Sequence, residues 1–80
     1  MKRVCVLTGG SSGIGKTSAK LLAQNGFTVY ELSRNGADAG AIRHITADVT
    51  EPEQVKTAIA AIFEQEGQID LLVNNAGFGI

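Results

Sequence analysis

Apolar and polar positions alternate between two periods along the 80 residues. Arg3 to Thr8 holds an unbroken apolar run, Val4-Cys5-Val6-Leu7, as expected of a parallel strand buried on both faces. From Ile14 to about Asn25 the period becomes helical, with Ile14, Ser18, Leu21, Leu22 and Asn25 on one face and Gly26 in the C′ position. Phe27 to Ser33 is rich in β-branched and aromatic residues and predicts a second strand. Residues 34–40 form a loop by composition, too short for a full crossover helix. A third strand is expected from Ile42 to Ala47. Thr50-Glu51-Pro52-Glu53 then reads as a capping box opening a second helix, with Pro52 in the first turn, where its missing N–H costs nothing. Val55, Ala58, Ile59, Ile62 and Phe63 make that helix's apolar stripe, and Gly67 closes it. Ile69 to Asn74 is the fourth strand.

This order, with right-handed crossovers, predicts an α/β fold of Rossmann type: a doubly wound parallel sheet, truncated, with strand order 3-2-1-4. Residues 1–80 then form one incomplete domain, the first half of a dinucleotide-binding unit. Ligands of such sheets lie at the carboxyl ends of the strands where the order reverses, here between the first and fourth. Thr8-Gly9-Gly10-Ser11-Ser12-Gly13-Ile14-Gly15 falls at that place, between a strand and a helix. Glycines permit a sharp turn and close backbone approach, and a helix N-terminus favours an anion, so a nucleotide or dinucleotide is expected.

Composition narrows the partners. Hydrophobic residues make up 44% and charged residues 19%, and the net charge is −1, so no basic field favours nucleic acid or an anionic membrane. No apolar run approaches the roughly 20 residues of a membrane span, and the apolar stretch after Met1-Lys2-Arg3 is short for a signal peptide. One cysteine, Cys5, lies inside an apolar strand and reads as a buried structural thiol. A cytoplasmic location is the expectation. No metal site is expected.

Two glycine motifs overlap in the first loop. Gly10-x-x-x-x-Gly15-Lys16-Thr17 satisfies the P-loop pattern, in which the lysine reaches phosphates and the threonine holds magnesium. Lys16 and Thr17 read more readily as ordinary first-turn helix residues. A P-loop enzyme also needs a magnesium-binding Asp at the end of an apolar strand, but Asp70 lies near the start of the fourth. Asp48, after the third strand, is the substitute. The general Gly-x-Gly-x-x-Gly form is not met either, because Ser18 stands at its third glycine.

Thr8-Gly9-x-x-x-Gly13-Ile14-Gly15, Ser33-Arg34, Asp48-Val49 and Asn74-Asn75-Ala76-Gly77 together resemble the short-chain dehydrogenase/reductase family, in kind and in order, over essentially the whole chain. The resemblance implies that Gly9, Gly13 and Gly15 shape a pyrophosphate loop and that Ser11, Ser12 and the Ile14 backbone touch phosphates. It implies that Asp48 and Val49 flank the adenine. Asn75, Ala76 and Gly77 would line the ribose, and Asn75 would also brace the sheet.

Cofactor choice in this fold is read about 20 residues beyond the glycine loop, where an acid selects NAD(H) and an arginine accommodates the 2′-phosphate of NADP(H). Ser33 and Arg34 stand there, so NADP(H) is expected over NAD(H). Ser12 occupies the place where some relatives carry a further basic residue, so the preference rests mainly on Arg34.

The family's catalytic Tyr-x-x-x-Lys pair and serine are not found in these residues, so catalytic residues within the chain are none. Tyr30 and Arg34 share a strand face but lie roughly 13 Å apart along it, and Tyr30 reads as packing. His44 reads as a solvated residue without a nearby partner. The expected parent reaction is hydride transfer between NADP(H) and a carbonyl or alcohol substrate, in a complete protein expected to be a homo-oligomer. The 80 residues alone are expected to be inactive. A stand-alone dinucleotide-binding module and a P-loop NTPase remain open as alternatives.

Overall fold

The computed structural model describes residues 2–9, 13–34 and 40–74. Its elements are β1 (Arg3–Thr8), α1 (Gly13–Gln24), β2 (Phe27–Ser33), β3 (Ile42–Thr46), α2 (Pro52–Glu66) and β4 (Leu71–Asn74). The four strands form one sheet in the order β3-β2-β1-β4, with every pairing parallel. This is the expected doubly wound half. The loop expected over residues 34–40 lies mostly outside the described residues, which show no helix between β2 and β3.

Strand alternation divides the core into two layers. Val4, Val6, Tyr30 and Leu32 pack against Val55, Ala58 and Ile62 of α2. On the other face, Cys5, Leu7 and Val29 pack with Ala19, Leu22 and Ala23 of α1. Burial pushes the Cys5 thiol up to about 11, which suits an inert packing residue.

The α1 face differs from the expected stripe. Gly15 and Ala19 are buried, whereas Leu21 is 58% exposed and Asn25 is also exposed. Gly15 and Ala19 lie four residues apart on one face of α1, and Leu21, two residues on from Ala19, falls on the opposite side of the helix. Asn25 instead folds its side-chain amide onto the Leu21 carbonyl at 2.8 Å, and Gly26 takes a positive φ of 88° beside it. On α2, Val55, Ala58 and Ile62 face inward as expected, but Phe63 is 56% exposed.

The expected capping box is not formed. Glu51, not Thr50, occupies the N-cap, without a side-chain bond. Thr50 turns back to Asp48, donating to Oδ1 from its hydroxyl at 2.6 Å and its N–H at 3.0 Å. A carboxylate two residues upstream is the stronger acceptor for these donors. Glu53 lies 3.6 Å from Lys56 instead. Pro52 and Gly67 keep their expected places, with Gly67 at φ 79°.

The end of the sheet remote from the glycine loop is tied by polar contacts. Lys2 Nζ meets Glu66 Oε1 at 2.6 Å, and the Tyr30 hydroxyl donates to Glu66 Oε2. Asp70 Oδ2 accepts from the Val4 N–H at 2.8 Å and from Gln68 at 2.7 Å. Hydrogen bonds from Lys2 and Tyr30 hold the Glu66 carboxyl below its ordinary value. Those from Val4 and Gln68 do the same for Asp70. Depressed carboxyl values in the native state mean that the unfolded chain binds more protons as pH falls. The stability these groups contribute is therefore present above about pH 4.5 and lost as pH falls below about 4. Urea unfolding of the full-length protein against pH should show that acid limb. Asp70→Asn should make it shallower, and an unchanged limb would contradict the assignment.

Candidate functional site

Register brings the carboxyl ends of the strands into line. Thr8 of β1 pairs with Leu32 of β2 on one side and with Asn74 of β4 on the other. Leu32 and Ser33 pair with Ile45 and Thr46 of β3. Gly9, Ser33-Arg34 and Asp48-Val49 therefore leave the sheet along one edge, as the sequence predicts.

Gly9 leaves β1 with φ 71°, a left-handed conformation that favours glycine, and its N–H donates to the Leu32 carbonyl at 3.1 Å. Helix α1 begins at Gly13 and carries no acidic residue in its first turn. Its N-terminal N–H groups and dipole thus face no competing carboxylate from that turn. Gly15 is buried within the turn, while Lys16 and Thr17 are exposed. Ser11 and Ser12 lie outside the described residues, as do Asn75, Ala76 and Gly77. For Gly13 and Ile14 the backbone alone is described.

Ser33 is 7% exposed, and its carbonyl accepts from the Ala47 N–H at 3.0 Å. Arg34 is exposed. Asp48 is held on its turn from both ends: its N–H donates to Gln54 Oε1 at 2.7 Å, and its carboxylate accepts from Thr50. Those Thr50 bonds, with a smaller contribution from the Arg34 charge, lower the Asp48 carboxyl from its ordinary value and keep it ionised. Val49 is half-buried against the α2 layer.

Three features escaped the sequence reading. The Thr8 hydroxyl donates to Asn74 Oδ1 at 3.0 Å, closing β1 against β4 at the switch point. Gln54 fixes Asp48 from the first turn of α2. His44 is not a solvated, partnerless residue: Nδ1 lies 2.5 Å from Glu31 Oε1 and Nε2 lies 2.9 Å from Thr46 Oγ1. Glu31 stands opposite His44 across the β2–β3 pairing, so parallel register was the signal that would have found the pair. Asp70, the acid of the fourth strand, sits at its entrance and bonds Val4, far from the glycine loop. Among the described residues no cluster of metal-ligating side chains exists, and no helix is long and apolar enough to cross a membrane.

A parallel sheet of order 3-2-1-4, with a glycine turn and helix N-terminus at its reversal, defines the first half of a Rossmann-type fold. Residues 3–80 match the family model described as short chain dehydrogenase. The chain is 39% identical over 79 residues to a 3-ketodihydrosphingosine reductase of Bacteroides thetaiotaomicron, spanning 98% of this chain and 29% of that protein. It is 36% identical over 86 residues to the 3-oxoacyl-acyl-carrier-protein reductase FabG of Thermotoga maritima, spanning 94% and 35%. The ligand-free aldohexose dehydrogenase of Thermoplasma acidophilum superposes with a TM-score of 0.89 at 40% identity, over 99% of this chain and 31% of that one. The chain belongs to the short-chain dehydrogenase/reductase family of oxidoreductases, which bind nicotinamide dinucleotides. It spans about a third of the length of these relatives.

Proposed function

We propose that residues 1–80 are the NADP(H)-binding portion of a short-chain reductase, one incomplete domain whose parent reaction is hydride transfer between NADP(H) and a carbonyl or alcohol. The observation that carries this reading is the end of β2. Ser33 and Arg34 leave the sheet beside Gly9 and the start of α1, and neither is an acid. The first of them is where a carboxylate would otherwise accept from a ribose 2′-hydroxyl. Arg34 offers a planar fork of donors suited to phosphate oxygens.

In this reading the α1 N-terminus and the Gly9 turn hold the pyrophosphate. Asp48 and Val49 flank the adenine, Asp48 ionised and fixed by Thr50 and Gln54. Ser11, Ser12, Gly13, Ile14, Gly15, Asn75, Ala76 and Gly77 complete the cradle. The bound nicotinamide supplies or accepts the hydride; these residues bind and orient. Proton transfer falls to groups outside the 80 residues. Two of the relatives are by name reductases of 3-keto or 3-oxo compounds, which favours a ketone as the substrate class.

The test is a fluorescence titration of the full-length protein with NADPH and NADH in the presence of a metal chelator. NADPH should bind more tightly, by about tenfold to a hundredfold for one charge-assisted contact of roughly 1.5–3 kcal/mol. Arg34→Ala should remove most of that difference. Equal affinity in the parent would reject the selector, and displacement of NADPH by ATP with magnesium at comparable affinity would favour the P-loop alternative.

A further inference from the structure

Glu31 is a buried carboxylate in a place that the cofactor site does not explain. Its side chain is 4% exposed, that of His44 is 9% exposed, and the two meet at 2.5 Å. Glu31 Oε2 has no hydrogen-bond partner. Glu31 lies two residues before Ser33 on the same strand, so alternation places both on the α1 side of the sheet. Thr46, which meets His44 Nε2, is the register partner of Ser33. The chain Glu31–His44–Thr46 thus runs along the sheet face directly beneath the end of β2.

A buried carboxylate costs several kcal/mol unless a cation compensates it. The charged groups of the neighbouring elements are Arg3 on β1, which lies over the Phe27 ring, Lys16 and Lys20 on α1, both exposed, Arg34 after β2, Asp48 after β3, and Arg43, which lies over the Tyr30 ring. Of these cationic groups and His44, it is His44 that meets the Glu31 carboxylate. With both imidazole nitrogens donating, to Glu31 and to Thr46, the pair is electrically neutral. Once the imidazole loses a proton, the carboxylate stands uncompensated less than about 10 Å from any group bound at Ser33, given a rise of about 3.3 Å per residue.

We infer that His44 is a specificity-determining positioning residue: by neutralising Glu31 it lets a 2′-phosphate be accepted at Ser33 and Arg34, and its loss turns the site toward NAD(H). This inference rests on the reading of Ser33-Arg34 as the selector. NADH lacks the phosphate, so its affinity should hardly respond. At that separation and an effective dielectric constant of about 20 or more, one unmasked charge weakens a phosphate ligand by roughly three- to thirtyfold.

The experiment measures NADPH and NADH affinities of the full-length protein by fluorescence titration at several pH values. In the parent, the NADPH:NADH affinity ratio should be roughly three- to thirtyfold lower with a neutral imidazole than with a charged one. A phosphate monoester gains its second charge near about pH 6, which would push the ratio the other way, so the two causes carry opposite signs. His44→Gln should lower the ratio by the same factor at neutral pH and abolish its fall with rising pH. Glu31→Gln/His44→Gln, with no charge on either side chain, should restore the ratio and likewise show no fall with rising pH. A parent ratio that does not fall with pH, or a folded His44→Gln protein with the parent's ratio, overturns the inference. Should His44→Gln not fold, the parent profile and the double variant still decide it. Arg34→Ala separates the two readings. If it lowers the ratio while the pH and His44 effects are absent, the selector stands and this inference fails. If Arg34→Ala has no effect, the selector fails and takes this inference with it.

Discussion

Gly13→Val abolishes dinucleotide binding while the sheet stays folded. Gly13 is the first residue of α1, where the backbone N–H groups point out of the helix without intrahelical partners. A valine there adds an isopropyl group beside the path by which a pyrophosphate reaches those donors. Losing two charge-assisted hydrogen bonds of roughly 1.5–3 kcal/mol each lowers affinity by more than about a hundredfold. The folding cost runs the other way. Glycine is about 1 kcal/mol poorer than alanine within a helix and valine is less unfavourable than glycine, so α1 itself is not weakened. A fluorescence titration with NADPH and a thermal melt on the same full-length protein separate the two effects. Binding within about threefold of the parent would remove Gly13 from the phosphate loop, since even one such bond is worth more. A melting temperature collapsed by more than about 8 °C would instead mark the position as structural.

Why the sheet was legible and parts of the site were not comes down to range. The runs Val4–Leu7 and Phe27–Leu32 are apolar or β-branched enough to be strands in any context, and handedness of the crossovers then leaves one strand order. The facing of α1 was not legible, because a period count credits Leu21 for its size. The structure turns Gly15 and Ala19 inward and leaves Leu21 exposed. The capping box failed for a local reason: Asp48 competes for Thr50, and a four-residue motif does not contain Asp48. His44 was misread because its partner lies 13 residues earlier, on the neighbouring strand, visible only after register is assigned. Thr8 and Asn74, 66 residues apart, were paired by the sheet in the same way. At the site, the placement of Gly9, Ser33, Arg34, Asp48 and Val49 along one edge followed from strand ends alone. The contacts expected of residues 10–12 and 75–77 lie outside the described residues.

Ser33→Asp reverses the cofactor preference, and the reversal is larger than the loss caused by Arg34→Ala. Removing Arg34 takes away an attraction to the 2′-phosphate and leaves NADH untouched. An aspartate at position 33 acts on both ligands with opposite signs. It accepts a hydrogen bond from the ribose 2′-hydroxyl of NADH, and it sets a fixed negative charge against the 2′-phosphate of NADPH. The backbone that carries it is held, since the Ser33 carbonyl accepts from Ala47 and Ser33 pairs with Thr46. The new carboxylate therefore stays where a ribose-reading group must be. A hydrogen bond to a charged acceptor contributes roughly 1.5–3 kcal/mol for NADH. A like charge about 4–5 Å away costs NADPH roughly 3–4 kcal/mol at an effective dielectric constant of about 20. Together they swing the NADPH:NADH affinity ratio by roughly three to five orders of magnitude, from a preference for NADPH to one for NADH. Position 33 is 7% exposed and has Glu31 two residues away on the same face, so the substitution also lowers the melting temperature. Glu31→Gln added to Ser33→Asp removes that like-charge neighbour and should recover part of the lost stability without undoing the swing. Affinities of the full-length single and double variants for both cofactors give the answer. A Ser33→Asp protein that still favours NADPH would show that the 2′ position is read elsewhere than at the end of β2.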